Sequence, residues 1–250
     1  MEAVSITHSN FNGGEQKIMQ FPTSKKDVEN QVVEILDWEV YKPPKRVGSK
    51  VLIDIGGNIG MSSIYFKDKF KDIYTFEPNP TIFECLKENT KEYDNIHIFN
   101  EAIFTYDGDL DMFGVDGEEP QSYHYYHSKK QTMRIVTKCR SLKTVLKEEK
   151  IDAVDLLKVD AEGAEYPIFL DDSFEEISDK IRYIVGESHS LGSGGEPNMI
   201  PYILKKTGFK TKYIKNEVNN YVKKFTYFNV STEVEKSIDI PMWTNFRAYK

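Results

Sequence analysis

Residues 51–60 read Val51-Leu52-Ile53-Asp54-Ile55-Gly56-Gly57-Asn58-Ile59-Gly60. A short apolar run, Val51 to Ile53, ends in the carboxylate of Asp54. A turn of small residues follows, and a helix-like stretch begins at Met61-Ser62-Ser63. Strand, glycine loop and helix form the first half of a nucleotide-type βαβ unit. The glycines let the backbone approach a ligand and adopt positive φ. The helix start offers N–H groups with no partner inside the helix.

The next strand strengthens this reading. Asp72-Ile73-Tyr74-Thr75-Phe76 ends in Glu77-Pro78-Asn79-Pro80. Glu77 follows Asp54 by roughly twenty residues, where an acidic side chain at a strand end binds ribose hydroxyls. Together these features point to an adenosine-type ligand. A dinucleotide loop reads Gly-x-Gly-x-x-Gly and holds a pyrophosphate on the helix N-terminus. Here Asp54 stands just before the loop, where it would repel a pyrophosphate and suits a cationic or amino-bearing ligand. S-adenosylmethionine has a ribose, an amino acid end and a sulfonium, and no phosphate. The loop resembles motif I of the class I methyltransferases, and Glu77 resembles their ribose-binding acid.

Outward from this unit, strands and helices alternate. Strands at 51–54, 72–76, 97–99, 154–159 and 181–186 are separated by helices at 61–70 and 80–91, and a helix at 197–206 ends at Gly208. Such alternation predicts an α/β fold with a mostly parallel twisted sheet and helices on both faces. Residues 1–48 read as an N-terminal extension. It is polar over 1–24, with room for an edge hairpin. It then carries a helix from Lys26 to Trp38 on Val28, Val32, Val33, Ile35 and Leu36, ended by Tyr41-Lys42-Pro43-Pro44. Residues 49–250 read as the main domain, with an insertion at about 105–140 and late strands between about 209 and 250.

Composition bounds the function. Of 250 residues, 39% are hydrophobic and 29% charged, with no apolar run long enough for a membrane span. The N-terminus has no basic region followed by an apolar core, so no signal peptide is expected. Cys85 and Cys139 have no metal or redox spacing and read as free thiols in a reducing cytoplasm. The net charge of −7 argues against a nucleic-acid partner. Two local basic groups, Lys42, Lys45, Arg46 and Lys50, and Lys129, Lys130, Arg134, Lys138 and Arg140, read as solvated faces. The acidic stretch from Asp107 to Glu119, with Asp109, Asp111, Asp116 and Glu118, reads as a hairpin or loop.

A second cluster of chemistry lies at Asp155-Leu156-Leu157-Lys158-Val159-Asp160-Ala161-Glu162-Gly163-Ala164-Glu165. It places Lys158, Asp160, Glu162 and Glu165 at the C-terminal end of a buried strand, the edge where open α/β sheets hold ligands. Lys158 reads as an ion-pair partner for Asp160 or Glu162. Burying charge is costly, so four ionisable groups there seldom serve stability alone. The following strand ends in Glu187-Ser188-His189, with Glu187 and His189 on one side of an extended segment. His8 in a loop and His97 at a strand start have weaker claims. Ser122-Tyr123-His124-Tyr125-Tyr126-His127 reads as a surface hairpin or a substrate wall.

These residues complete a family resemblance. The glycine loop, Phe76-Glu77-Pro78, Asn100-Glu101-Ala102, Ser141-Leu142-Lys143-Thr144-Val145-Leu146, the Lys158-to-Glu165 run and Glu187-Ser188-His189 occur in order between about Val51 and Phe209. The chain resembles the FkbM family of methyltransferases. The resemblance implies a Rossmann-like class I methyltransferase fold, S-adenosylmethionine as donor, and a hydroxyl acceptor on a sugar, glycan or small metabolite. It implies that Asp54, Gly56, Gly57, Asn58 and Gly60 hold the methionine end and that Glu77 holds the ribose. Asn100, Glu101 and Ala102 would lie beside the adenine. The catalytic group is expected from Asp160, His189, Lys158 and Glu162.

Methyl transfer to a hydroxyl needs in-line alignment and an acceptor for the hydroxyl proton. His189 has a suitable ordinary pKa of ~6.5, and Asp160 either orients it or takes the proton itself. Asp160, Glu187 and His189 are donors of the right type for a divalent ion, but the spacing shows no closed set, and no metal ligand is assigned. Ser190 to Pro197, glycine-rich, reads as a loop or a substrate lid. Base methylation would call for an Asn-Pro-Pro-Tyr-type run where Asp160-Ala161-Glu162-Gly163 stands, and a nicotinamide enzyme for a different glycine spacing. A non-catalytic scaffold or partner-binding module on the same fold is the alternative of a different class; cofactor binding without turnover is its signature. Acceptor identity and oligomeric state are left open.

Overall fold

In a computed structural model of the chain, the glycine loop sits at the centre of a seven-stranded sheet. The structure describes residues 2–7, 16–21, 28, 31–37, 39–43, 47–114, 123–125, 132–189, 199–214, 222–229, 234–241 and 243–250. Its strands are β1 (Glu2–Thr7), β2 (Gln16–Phe21), β3 (Val51–Ile55), β4 (Asp72–Phe76), β5 (Ile96–Phe99), β6 (Glu101–Phe104), β7 (Gly108–Gly114), β8 (Met133–Ser141), β9 (Val154–Val159), β10 (Ile181–His189), β11 (Lys210–Ile214), β12 (Val222–Asn229), β13 (Val234–Pro241) and β14 (Trp243–Tyr249). The main sheet runs β11-β14-β10-β9-β3-β4-β5. Strands β10, β9, β3, β4 and β5 pair in parallel, and β14 is antiparallel to both neighbours. The order reverses beside β3, which is where an open α/β sheet leaves a ligand crevice.

The central strands are apolar because both faces are covered. Alternate residues serve opposite layers. Ile53, Ile55, Leu157, Val159 and Ile184 pack under the helices Leu142–Glu148, Glu165–Leu170, Asp172–Ile177 and Met199–Lys206. Leu52, Ile73, Leu156 and Val185 face the helices Met61–Phe66 and Pro80–Thr90. Asn79 starts the latter helix: its Oδ1 accepts from Thr81 N at 2.9 Å, with Pro80 in the first turn.

Two charges interrupt the fully buried strand β9, and each is neutralised. Asp155 accepts from the N–H groups of Lys50 and Val51 and from Arg182 Nη1. Lys158 stands in register with Asp54 on β3, and the two form an ion pair at 3.0 Å. The expectation that Lys158 pairs with Asp160 or Glu162 is therefore corrected: adjacent parallel strands set its partner, and sequence proximity does not.

Several boundaries also shift. The segment Val32–Asp37 is π-wound, where helical spacing suggested an α-helix over 26–38. Met19, Phe21, Val28, Ile35, Leu36, Val40 and Tyr41 are buried in the same core as Leu52 and Phe66, so the N-terminal extension is packed into the domain. The insertion folds as a three-stranded sheet, β6-β8-β7, that begins at Glu101. Its opposite charges lie across from one another, as Asp109 with Lys138 and Asp111 with Arg134. Among the described residues, these members of the acidic and basic stretches thus pair with each other. His8, Lys45, Arg46, Asp116, Glu118, Lys129, Lys130, Tyr126, His127 and the segment 190–198 lie outside the described residues.

Candidate active site

A cleft opens at the C-terminal ends of β3, β4 and β9. Of the expected residues, Gly56, Asn58, Glu77, Glu101, Ala102, Asp160 and Glu162 line it. Asp54, Gly57, Gly60, Asn100, Lys158 and His189 stand behind or beside this lining.

The loop is shaped by contacts that forbid larger residues. Gly56 has φ 74°, and a Cβ there would lie 1.8 Å from the carbonyl oxygen of Asp160. The close approach brings the loop directly against the end of β9. A Cβ at Gly57 would lie 2.2 Å from Thr75 Cγ2, so this glycine fits the loop onto β4. Asn58 adopts φ 49°, a conformation asparagine tolerates better than most residues. Its Oδ1 accepts from its neighbour Ile59 N at 2.7 Å.

Asp54 is completely buried and turned away from the cleft. Its Oδ2 accepts from Ser62 Oγ and Ser63 Oγ at 2.6 and 2.7 Å, and its Oδ1 faces Lys158. Lys158 Nζ also donates to the carbonyl of Gly56 at 2.6 Å and lies 5.1 Å from the centre of the Tyr41 ring. Burial opposes the lysine charge, but Asp54 and Asp160 outweigh it and raise the pKa. The Asp54–Lys158 pair therefore clamps the loop from below.

Glu77 accepts from Asn58 N through Oε2 and from Asn79 N through Oε1, both at 2.9 Å. Burial dominates and lifts its pKa to about 7, against the pull of those two N–H groups and of Lys158. Asn100 fastens the loop after β4, donating to the carbonyls of Glu77 and Pro78. Beyond Glu101 and Ala102, the far wall comes from the insertion: Leu110, Met112, Tyr123 and Tyr125. The sequence reading assigned no cofactor contacts to these; Tyr123 and Tyr125 entered only as a candidate substrate wall.

At the other end of the cleft, β9 and β10 bring carboxylates around one imidazole. Glu165 is completely buried; its Oε1 accepts from Ala161 N at 2.8 Å and lies 3.0 Å from His189 Nδ1. His189 Nε2 lies 3.7 Å from Asp160 Oδ1, 3.8 Å from Glu162 Oε2 and 3.7 Å from Glu187 Oε2. Burial disfavours a charged ring, yet Glu165 foremost, with Glu162 and Asp160, carries its pKa well above 6.5. Glu162 sits in a tight turn with φ 49°, followed by Gly163 at 102°. Its partial removal from water, with Asp160 adding repulsion against the pull of His189, raises its pKa.

Tyr41 completes this end. Its hydroxyl donates to Asp160 Oδ2 at 2.8 Å, and burial and the neighbouring Asp160 and Glu187 push its pKa well above 10. Tyr41 was not among the expected site residues, and Glu165, placed in the second cluster, was given no role of its own. Tyr41 carries no sequence signal beyond its place before Pro43. Glu165 had one, since a carboxylate in the first turn of a helix after a ligand-bearing strand end is a recognisable pattern. Of the other histidines, His97 contacts Asp72 and packs on Tyr74, while His124 Nδ1 meets the carbonyl oxygen of Glu162 at 2.9 Å.

A model of the methyltransferase FkbM domain matches residues 54–225, more than half of the chain. The chain belongs to the FkbM methyltransferase family. Family and fold make this FkbM protein an S-adenosylmethionine-dependent methyltransferase. Methyltransferase 1 of Beauveria bassiana is 25% identical over 184 residues, covering 64% of this chain and 74% of that protein. The 2-O-methyltransferase NoeI of Sinorhizobium fredii is 26% identical over 185 residues, covering 66% of this chain and 70% of its own. Among solved structures, magnesium protoporphyrin IX methyltransferase from Synechocystis PCC 6803, described with bound S-adenosylmethionine, aligns with a TM-score of 0.47 at 9% identity, over 92% of this chain and 86% of that one. Among the described residues no helix is long and apolar enough to cross a membrane.

Proposed function

We propose that this FkbM protein transfers the methyl group of S-adenosylmethionine to a hydroxyl of a sugar, glycan or small metabolite. The observation that carries the reading is the placement of Asp160 and Glu162 at one end of the cleft, backed by His189, with Glu77 and the glycine loop at the other. The cofactor's ribose is assigned to Glu77, its methionine end to Gly56 and Asn58 with the Asp54–Lys158 clamp behind them, and its adenine to Ala102 and the aromatic wall of the insertion.

In the proposed step the acceptor oxygen bonds to the methyl carbon as the carbon–sulfur bond breaks. The sulfonium becomes a neutral thioether. The hydroxyl proton passes to the Asp160–Glu162 carboxylates, which His189 and Tyr41 hold in place. Proximity and proton removal each contribute several kcal/mol in reactions of this kind, on the order of 10²–10⁴-fold for the proton. Oxygen as the target is supported by the name of the relative NoeI and by this carboxylate end, which suits a hydroxyl donor. The paired charges of the insertion and the net charge of −7 speak against a nucleic-acid acceptor. Two unpaired, buried thiols, Cys85 and Cys139, suit a cytoplasmic reaction.

The test is a transfer assay with radiolabelled S-adenosylmethionine against free sugars, deoxysugar glycosides and small phenols. Label in a base-stable methyl ether supports the reading. Label confined to amines or carboxyl esters contradicts it, and cofactor binding without turnover on any acceptor favours a scaffold.

A further inference from the structure

We propose that His189, Asp160, Glu162 and Glu187 bind a divalent, oxygen-preferring metal ion, with Glu165 orienting the histidine. The proposal rests on the methyltransferase reading and extends it to the acceptor end of the cleft.

The geometry around the imidazole is two-sided. Nδ1 makes a true hydrogen bond to Glu165 Oε1, at 3.0 Å. Nε2 makes none to the three carboxylate oxygens it faces, because 3.7, 3.8 and 3.7 Å lie beyond hydrogen-bond reach. Donors around one small divalent ion, each about 2.1 Å from it, stand about 3 Å apart when adjacent and about 4.2 Å when opposite. The three separations from Nε2 fall within that range. A metal-bound histidine commonly donates its other N–H to a carboxylate, which fixes the tautomer. Glu165 occupies that position.

A second observation concerns charge and satisfaction. Glu165 is completely buried, and among the described residues its Oε2 has no hydrogen-bond partner. A buried anionic oxygen without a donor is costly, and a cation or a water held by one would satisfy it. Ligand atoms of Asp160, Glu165 and His189 all lie within 4.8 Å of one another. Four carboxylates share this spot with one imidazole, while Lys158 is engaged by Asp54. Like charges at this density repel strongly in a partly desolvated cleft. Tyr41 binds Asp160 through Oδ2, which leaves Oδ1 turned to Nε2. Carboxylates with a single imidazole suit magnesium or manganese better than soft metals. Asp160 and Glu162 line the cleft, so an ion there would hold the acceptor's hydroxyl oxygen beside the transferred methyl group.

The probe is manganese chloride, titrated into the full-length, chelator-treated protein and followed by calorimetry and by the loss of the free Mn²⁺ electron paramagnetic resonance signal. One ion per chain is expected. Glu162→Gln and Glu187→Gln should weaken it at least tenfold, and Glu165→Gln by roughly 10–100-fold through loss of the orienting hydrogen bond. Asp109→Asn, on the exposed insertion sheet, should leave binding unchanged. Thermal melts confirm folding, and Glu162, the most exposed of the cluster, provides the variant least liable to unfold. S-adenosylhomocysteine is titrated in parallel with chelator present. If it binds and Mn²⁺ does not, or if Mn²⁺ binding ignores these substitutions, the metal site is wrong and the methyltransferase reading stands. If neither binds to folded protein, both fall.

Discussion

The two ends of the cleft are built on opposite principles. At the glycine loop every charge has an answer: Asp54 is met by Ser62, Ser63 and Lys158, and Glu77 by the N–H groups of Asn58 and Asn79. At the end of β9 and β10, Asp160, Glu162, Glu165 and Glu187 converge on the single imidazole of His189. Under the proposed function the first end is a preformed mould for the cofactor. The second gathers four carboxylates around one imidazole, and under the proposed function it is the reacting centre.

Substitutions sharpen this contrast, and the largest effect belongs to the balanced end. Lys158→Met leaves the fully buried Asp54 without its cation. Breaking one partner from a buried pair typically costs ~3–5 kcal/mol, and chemical denaturation should show a loss of that order. At the other end, Asp160→Asn removes a proton acceptor but keeps the shape. Turnover on an accepted hydroxyl should fall by roughly 10²–10⁴-fold, with S-adenosylhomocysteine affinity held within a factor of about three. Loss of affinity in step with turnover would merge the two ends into one.

A smaller effect separates them by pH. Glu77 has an ordinary pKa near 4.5 and one of about 7 in the fold, because burial penalises its charge. The folded state therefore binds more protons between those values, and the stability this group contributes is full below 4.5 and lost as pH rises towards 7. Ribose hydroxyls donate to the ionised form, so cofactor affinity should move the other way. It should rise roughly five- to tenfold from pH 6 to pH 8, and Glu77→Gln should bind more weakly with a flat profile. The smallest effect is expected from Tyr41→Phe, which deletes one hydrogen bond to a carboxylate that keeps other neighbours. A three- to tenfold drop in kcat, worth about 1 kcal/mol, with unchanged KM for S-adenosylmethionine would fit.

Legibility in the sequence follows the same division. The glycine loop, Glu77 and the strand order around them were readable because local sequence dictates local backbone: small residues where φ is positive, an acid where a strand stops. The Lys158-to-Glu165 run could be placed at a strand end for the same reason. What was not readable depends on register and on distant chain. Lys158 finds Asp54 because β3 and β9 align them, a pairing across a hundred residues. Tyr41 reaches Asp160 from an extension with no motif of its own. The convergence on Nε2 of His189 needs two adjacent strands and a tight turn at Glu162, so spacing alone could show no closed donor set. The far wall of the cleft formed by Leu110, Met112, Tyr123 and Tyr125 comes from an insertion whose pattern announces only strands.

The most direct measurement is calorimetric titration of S-adenosylhomocysteine into wild type, Glu77→Gln and His189→Gln in parallel, each verified as folded. The account predicts one-to-one binding in wild type, clear weakening in Glu77→Gln and near-wild-type affinity in His189→Gln. No binding by the folded wild-type chain, or binding that depends on His189 and ignores Glu77, would contradict the assignment of the two ends.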